Sequence, residues 1–166
     1  MPRAAHLAIV DLNFYRFTSI WSVPAPPEDA YAALETLEDY PAWWPEVKEA
    51  RKLDEGLAEV RCRSLLPYDL VFTSEQAVRD PDAKVLEATL RGDLDGFTRW
   101  TIQGSPDGSR LLFEEEVTTT KGSLRALAPV ARPAFKANHY LMMRHGERGL
   151  RTYLAGYRLA RRTHAS

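Results

Sequence analysis

The chain has a single cysteine, Cys62, in 166 residues. No internal disulfide can form and no cysteine-based metal site is available, so a reducing, cytoplasmic setting is the expectation. Neither sign of charge dominates: 22 basic and 23 acidic residues leave a formal net charge of -1. That excludes the basic balance of a nucleic-acid binder and the acidic balance of a disordered chain, and nucleic acid is not an expected partner. No apolar run approaches the length of about 18 residues that a membrane span requires. The apolar patch in the N-terminal stretch MPRAAHLAIVDLNF is too short and too interrupted for a span or a signal peptide. HExxH, paired cysteines, a P-loop and a GxGxxG after a strand are all missing, so no metal and no cofactor are expected. Neither an internal repeat nor a linker divides the chain. One domain over 1–166, with its core at about 14–158, is the expectation, as a monomer or a homodimer.

What is present is alternation. NFYRFTSIWSV (13–23) places Tyr15, Phe17, Trp21 and Val23 on one face and Arg16, Thr18 and Ser22 on the other, the pattern of a half-buried strand. Pro24, Pro26 and Pro27 end it. Pro27, Glu28 and Asp29 suit the first turn of a helix that Ala30, Leu34 and Leu37 continue at helical spacing. Pro41 and Pro45 confine any helix in PAWWPEV to about one turn, and Trp43 and Trp44 together read as a plug for one end of a core. From 47 to 120 the period is two, broken at DEG (54–56), LLPYD (65–69), RDPDA (79–83), GDLDG (92–96) and SPDG (105–108). Six antiparallel strands result. Beyond Lys121 and Gly122, Phe135, His139, Met142, Gly146, Leu150, Tyr153 and Tyr157 recur at three and four. With Pro133 tolerable only near a first turn, this predicts a last helix of about 20–25 residues, ending in the solvated run RLARR.

The class is therefore α+β. A seven-stranded antiparallel sheet must cover its apolar face, and only the long C-terminal helix is large enough to do so. A strongly curved sheet gripping a helix leaves a gap that side chains need not fill.

WSVPAPPEDAYAAL, YPAWWPEV, LLPYDL, GDLDGFTRW, WTIQGSPDGSRLLFEEEVTT and NHYLMMRHGERGL, which span the chain from about Phe14 to Ala155, resemble the polyketide cyclase/dehydrase branch of the START-like superfamily (SRPBCC, Bet v 1-like). The resemblance implies a helix-grip fold: a curved sheet of seven strands wrapped around a long C-terminal helix, with two short helices between the first two strands. That superfamily spans aromatic polyketide cyclases, lipid carriers, hormone receptors and members with no assigned reaction. Its fold does not fix an activity, so the site rests on its own residues.

The SPDG turn sets a register in which Trp100 opposes Phe113, Ile102 opposes Leu111 and Thr98 opposes Glu115 on one face, while Arg99 opposes Glu114 and Phe97 opposes Glu116 on the other. In the run EEE, Glu115 then points toward the helix and its two neighbours face water. A carboxylate on an apolar face must be paired, hydrated or protonated; paired it is structural, and poised in a cavity it is a general acid or base. His139, on the inner stripe of the helix, is either a core histidine bonded to backbone or carboxylate, or a proton-transfer group. Gly146 and Gly149 weaken the helix by about 1 kcal/mol each relative to alanine, which calls for a close approach by strand or ligand at one of them.

Cys62 and Ser64 on one middle strand and Phe72, Ser74 and Gln76 on the next line the apolar side. Arg61 and Arg63 fall on the opposite face, solvated, and become inward anion binders only if the parity is reversed. Cys62 has no base placed beside it and reads as a filler. With Phe17, Trp21, Thr98, Trp100, Phe113, Met142, Met143 and Gly146, these residues make the candidate wall for a hydrophobic ligand, aromatic polyketide-like or lipid-like. Three readings follow: a carrier domain enclosing such a ligand; a cofactor-independent cyclase, aromatase or dehydratase using Glu115 and His139; and a partner-binding domain whose interior Trp43, Trp44 and Trp100 fill.

Overall fold

The computed structural model describes residues 10–164; most of the N-terminal apolar stretch lies outside them. Ten residues with alternating burial form β1 (Phe14–Val23), and the prolines that follow turn the chain into α1 (Pro27–Glu35). A 3-10 turn at Leu37–Asp39 leads into α2 (Tyr40–Trp43), the single turn that Pro41 and Pro45 permit. The meander is β2 (Val47–Asp54), β3 (Leu57–Arg63), β4 (Asp69–Asp80), β5 (Val85–Gly92), β6 (Leu94–Ser105) and β7 (Gly108–Thr119). One antiparallel sheet of seven strands results, in the order β1-β7-β6-β5-β4-β3-β2. Register shifts within β2–β3 and between Gln76 and Val78 on β4 bend the far strands. The hairpin of β6 and β7 pairs Gln103 with Arg110, Trp100 with Phe113 and Thr98 with Glu115, as the SPDG turn predicts.

The last helix corrects its predicted length. α3 runs from Gly122 to His164, 43 residues, with Pro129 and Pro133 both inside it. Each proline removes one rung of the backbone ladder, but both point to solvent, and Leu124 and Ala128 are buried alongside. Packing of the inner side holds the helix through the prolines. Along its inner side, Met143, Gly146, Leu150 and Leu154 are buried against the sheet.

The glycines of α3 mark where it comes closest. A β-carbon on Gly149 would stand 1.6 Å from the carbonyl oxygen of Trp43, and one on Gly146 would stand 2.6 Å from the Trp44 indole and 2.7 Å from that of Trp21. These helix positions are open because tryptophans fill the space. Trp21, Trp43, Trp44 and Trp100 pack together, with Trp21 meeting the other three at centroid distances of 6.4, 5.3 and 4.8 Å. Side chains of α3 also cover the outer edge of β1: Glu147 accepts the Ser22 N–H at 3.0 Å, and Arg151 donates to the Ser22 carbonyl at 2.9 Å. That satisfies groups an open sheet edge would leave available for aggregation.

Candidate functional site

The tryptophan cluster fills one end of the interior and leaves a cavity of about 450 Å³ beside it. Its wall comes from the concave side of the sheet. Ala58, Val60 and Cys62 of β3, Phe72, Ser74 and Gln76 of β4, Leu86 and Leu90 of β5, Thr98 and Trp100 of β6 and Phe113 of β7 all face it. Leu34, Leu37, Tyr40 and Trp44 form the roof, and α3 contributes Met142. The alternation of the strands places these residues on one side. Ser74, Gln76 and Thr98 are isolated polar points on a wall that is otherwise mostly apolar.

Of the residues expected on the wall, Cys62, Phe72, Ser74, Gln76, Thr98, Trp100, Phe113 and Met142 line the cavity, whereas Phe17, Trp21, Ser64, Met143 and Gly146 lie elsewhere. Ser64 stands one residue past the end of β3, and its hydroxyl donates to Asn138 Oδ1 at 2.6 Å, which fastens that segment to α3. Trp21, Met143 and Gly146 belong to the packing of α3 on the tryptophans. Arg61 and Arg63 are on the outer face, both beside Asp69, and the inward parity does not occur.

Glu115 is only 7% exposed, and its Oε2 accepts from His139 Nε2 at 2.7 Å. Phe17, directly opposite Glu115 on β1, stacks on the imidazole at 3.6 Å between centroids with the planes 7° apart. Glu114 and Glu116 pair instead with Arg99 and Arg16 on the outer face. The Glu115–His139 pair separates two apolar clusters, with Phe113 in one and Val117 in the other. Neither Glu115 nor His139 lines the cavity; Thr98, across the ladder from Glu115, and Met142, one turn on from His139, do.

A second pair escapes the sequence. Glu46, 6% exposed, hydrogen-bonds His145 Nδ1 across the junction of α2 and α3. Alternation gives no signal for it, because Glu46 precedes β2 and its burial depends on the helix arriving from 99 residues away. Cys62 lies between the two carboxylates. Burial first, then the charges of Glu115 and Glu46, push its thiol up to about 12, so it is protonated and inert at neutral pH.

The mouth of the cavity was also beyond sequence reading. It opens between α1 with its 3-10 turn and the β2–β3 hairpin, where Glu35, Glu38, Lys52, Asp54, Glu55 and Arg79 stand. Arg79 of β4 pairs with Glu35 of α1 across this opening. Among the described residues no group of histidine, cysteine and carboxylate side chains could hold a metal ion, and no helix is long and apolar enough to cross a membrane.

Residues 23–144 match the family described as polyketide cyclase / dehydrase and lipid transport. No curated protein sequence matches the chain. Among solved structures, the Zhui aromatase/cyclase from a Streptomyces species superposes with a TM-score of 0.72 at 13% identity, covering 86% of this chain and 94% of that one. A START superfamily protein from Mycobacterium smegmatis gives 0.64 at 19% identity, over 87% and 98% of the two chains. The di-domain aromatase/cyclase StfQ of the steffimycin pathway gives 0.60 at 15% identity, over 87% of this chain but 53% of that one. At these identities the likeness is one of fold.

Proposed function

The chain belongs to the polyketide cyclase/dehydrase and lipid transport family, and from that membership we propose that it binds a hydrophobic small molecule, aromatic polyketide-like or lipid-like, in the cavity on the concave side of its sheet. The observation that carries this is the cavity itself. Its volume, about 450 Å³, lies in the range of about 300–1,000 Å³ typical of small-molecule sites, and an apolar wall with a few polar points is their usual chemistry. Leu86, Leu90, Phe72 and Trp100 supply the apolar surface, while Ser74, Gln76 and Thr98 orient a hydroxyl or carbonyl. The interior is not closed by its tryptophans, which weighs against a purely structural domain.

Thermal melting with a panel of fused-ring aromatics and long-chain acyl compounds tests the proposal. A ligand at ~100 times its dissociation constant stabilises the folded state by about 2.7 kcal/mol, a rise of roughly 5–10 °C for a chain of this size. Ser74→Leu, which fills the wall, is expected to keep the fold and abolish the rise. A panel that leaves the melting temperature unchanged throughout would sink the proposal.

A second reading makes the same cavity the site of a cyclase, aromatase or dehydratase. A buried carboxylate–imidazole pair one ladder position from Thr98 favours it, since enolisation next to a carbonyl needs an acid and a base. In that reading Glu115 takes the proton and His139 holds and returns it. The pair must then reach the ligand past Thr98 and Met142. Turnover of a poly-β-carbonyl substrate that survives Glu115→Gln would remove the pair from catalysis and leave it as a tie between β7 and α3.

A further inference from the structure

The side of α3 turned away from the sheet carries Leu127, Val130, Ala134, Ala137 and Leu141 at spacings of three and four, all exposed. Val130 is 86% exposed, Leu127 56% and the adjoining Tyr140 63%. Large apolar side chains grouped so openly signal a contact surface. The same stripe continues as Arg144, Arg148, Arg151 and, past Ala155, Arg158. The helix as a whole has nine basic residues against one acidic, Glu147, which leaves the rest of the chain with 13 basic and 22 acidic. Charge is thus concentrated on the element that carries the apolar patch. Arg151 and Arg158 are engaged with carbonyls of β1 and the residue after it, but Arg125, Lys136, Arg144 and Arg148 make no ion pair among the described residues.

We propose that this face of α3 lies on an anionic lipid surface, with Leu127, Val130, Tyr140 and Leu141 set at the boundary of headgroups and acyl chains and Arg144 and Arg148 against lipid phosphates. Interfacial helices bind through such a combination of apolar area and cationic attraction. A second copy of the chain fits less well. Paired in parallel, the arginines of one stripe meet those of the other; paired antiparallel about Ala134, Arg144 and Arg148 come level with Leu124 and Thr120 of the other copy, where the chain offers no carboxylate. An acidic protein partner satisfies the arginines and leaves the apolar half in water.

Flotation with vesicles of phosphatidylcholine, with and without phosphatidylglycerol, tests this. The protein is expected to float with the anionic vesicles only and to be released by high salt. Arg144→Gln with Arg148→Gln should weaken binding by about fivefold for each arginine neutralised. Leu127→Ser with Val130→Ser should weaken it at least as much, and because all four side chains are exposed, the melting temperature of each variant should stay that of the parent. A polarity-sensitive dye on Val130→Cys, where the buried Cys62 does not compete for label, should shift to the blue on anionic vesicles. Equal binding with and without phosphatidylglycerol, or no binding, overturns the proposal. So does retention of binding by the Leu127→Ser, Val130→Ser variant, which would point to an acidic macromolecule, or a dimer in light scattering that this variant abolishes.

Discussion

Gly149 shows how much a single hydrogen atom can decide. Its missing β-carbon would lie 1.6 Å from a backbone oxygen, and a backbone neighbour cannot step aside as a side chain can. Gly149→Ala is expected to cost more than the ~1–3 kcal/mol of ordinary overpacking, read as the fall in urea midpoint; a loss below about 1 kcal/mol would show that α3 can lift off Trp43 at little cost. Cys62 makes a prediction of the opposite kind. Burial pushes its pKa up to about 12, well above the 9.0 of an exposed thiol, so folding disfavours the thiolate. The stability this represents is fully present below pH 9 and is lost as pH rises toward 12. A Cys62→Ala variant should therefore fall less steeply in stability between those limits, and the native thiol should resist disulfide reagents at pH 8. Rapid labelling of the folded protein would contradict its burial.

Between elements, α3 is fastened to the sheet and to the segments that flank it by polar ties: His139 to Glu115 on β7, Asn138 to Ser64 just past β3, His145 to Glu46 just before β2. Removing one member of a buried pair strands the other, so Glu115→Ala and His139→Ala are each expected to cost about 2–3 kcal/mol, while joint replacement by apolar residues costs much less than their sum. A double-mutant cycle that proves additive would show the two side chains to be independent. The strands were legible because each break carries its own turn residues, and the register because a short turn between Gly104 and Ser109 leaves little freedom. Parity then singled out Glu115 from its neighbours. The length of α3 was not legible, because proline is read as a stop when its cost is judged locally, and here tertiary packing outweighs that cost. Nor were Glu46 with His145, or the roof of the cavity, since both arise from contacts between segments distant in sequence.

Across the whole molecule, the cavity and its opening belong to different chemistries, apolar within and charged at the rim. The Arg79–Glu35 pair spans the rim with the arginine side chain 60% exposed, so solvent screens it and it adds little to stability, while its place at the rim makes it the first obstacle to the proposed ligand. Arg79→Ala is expected to speed ligand association several-fold in stopped-flow mixing with little change in melting temperature; an unaltered association rate would place the entrance elsewhere. The four tryptophans of the sequence all sit in one cluster, and α3 rests on it through Gly146 and Gly149 and through the hydrogen bond from Trp44 Nε1 to the Met142 carbonyl at 3.0 Å. The whole of the indole emission therefore originates at the one place where the helix meets the sheet. Intrinsic fluorescence and near-ultraviolet dichroism become an unlabelled gauge of how α3 is seated, and any ligand or surface that shifts the helix will be visible as a change of colour in the protein's own light.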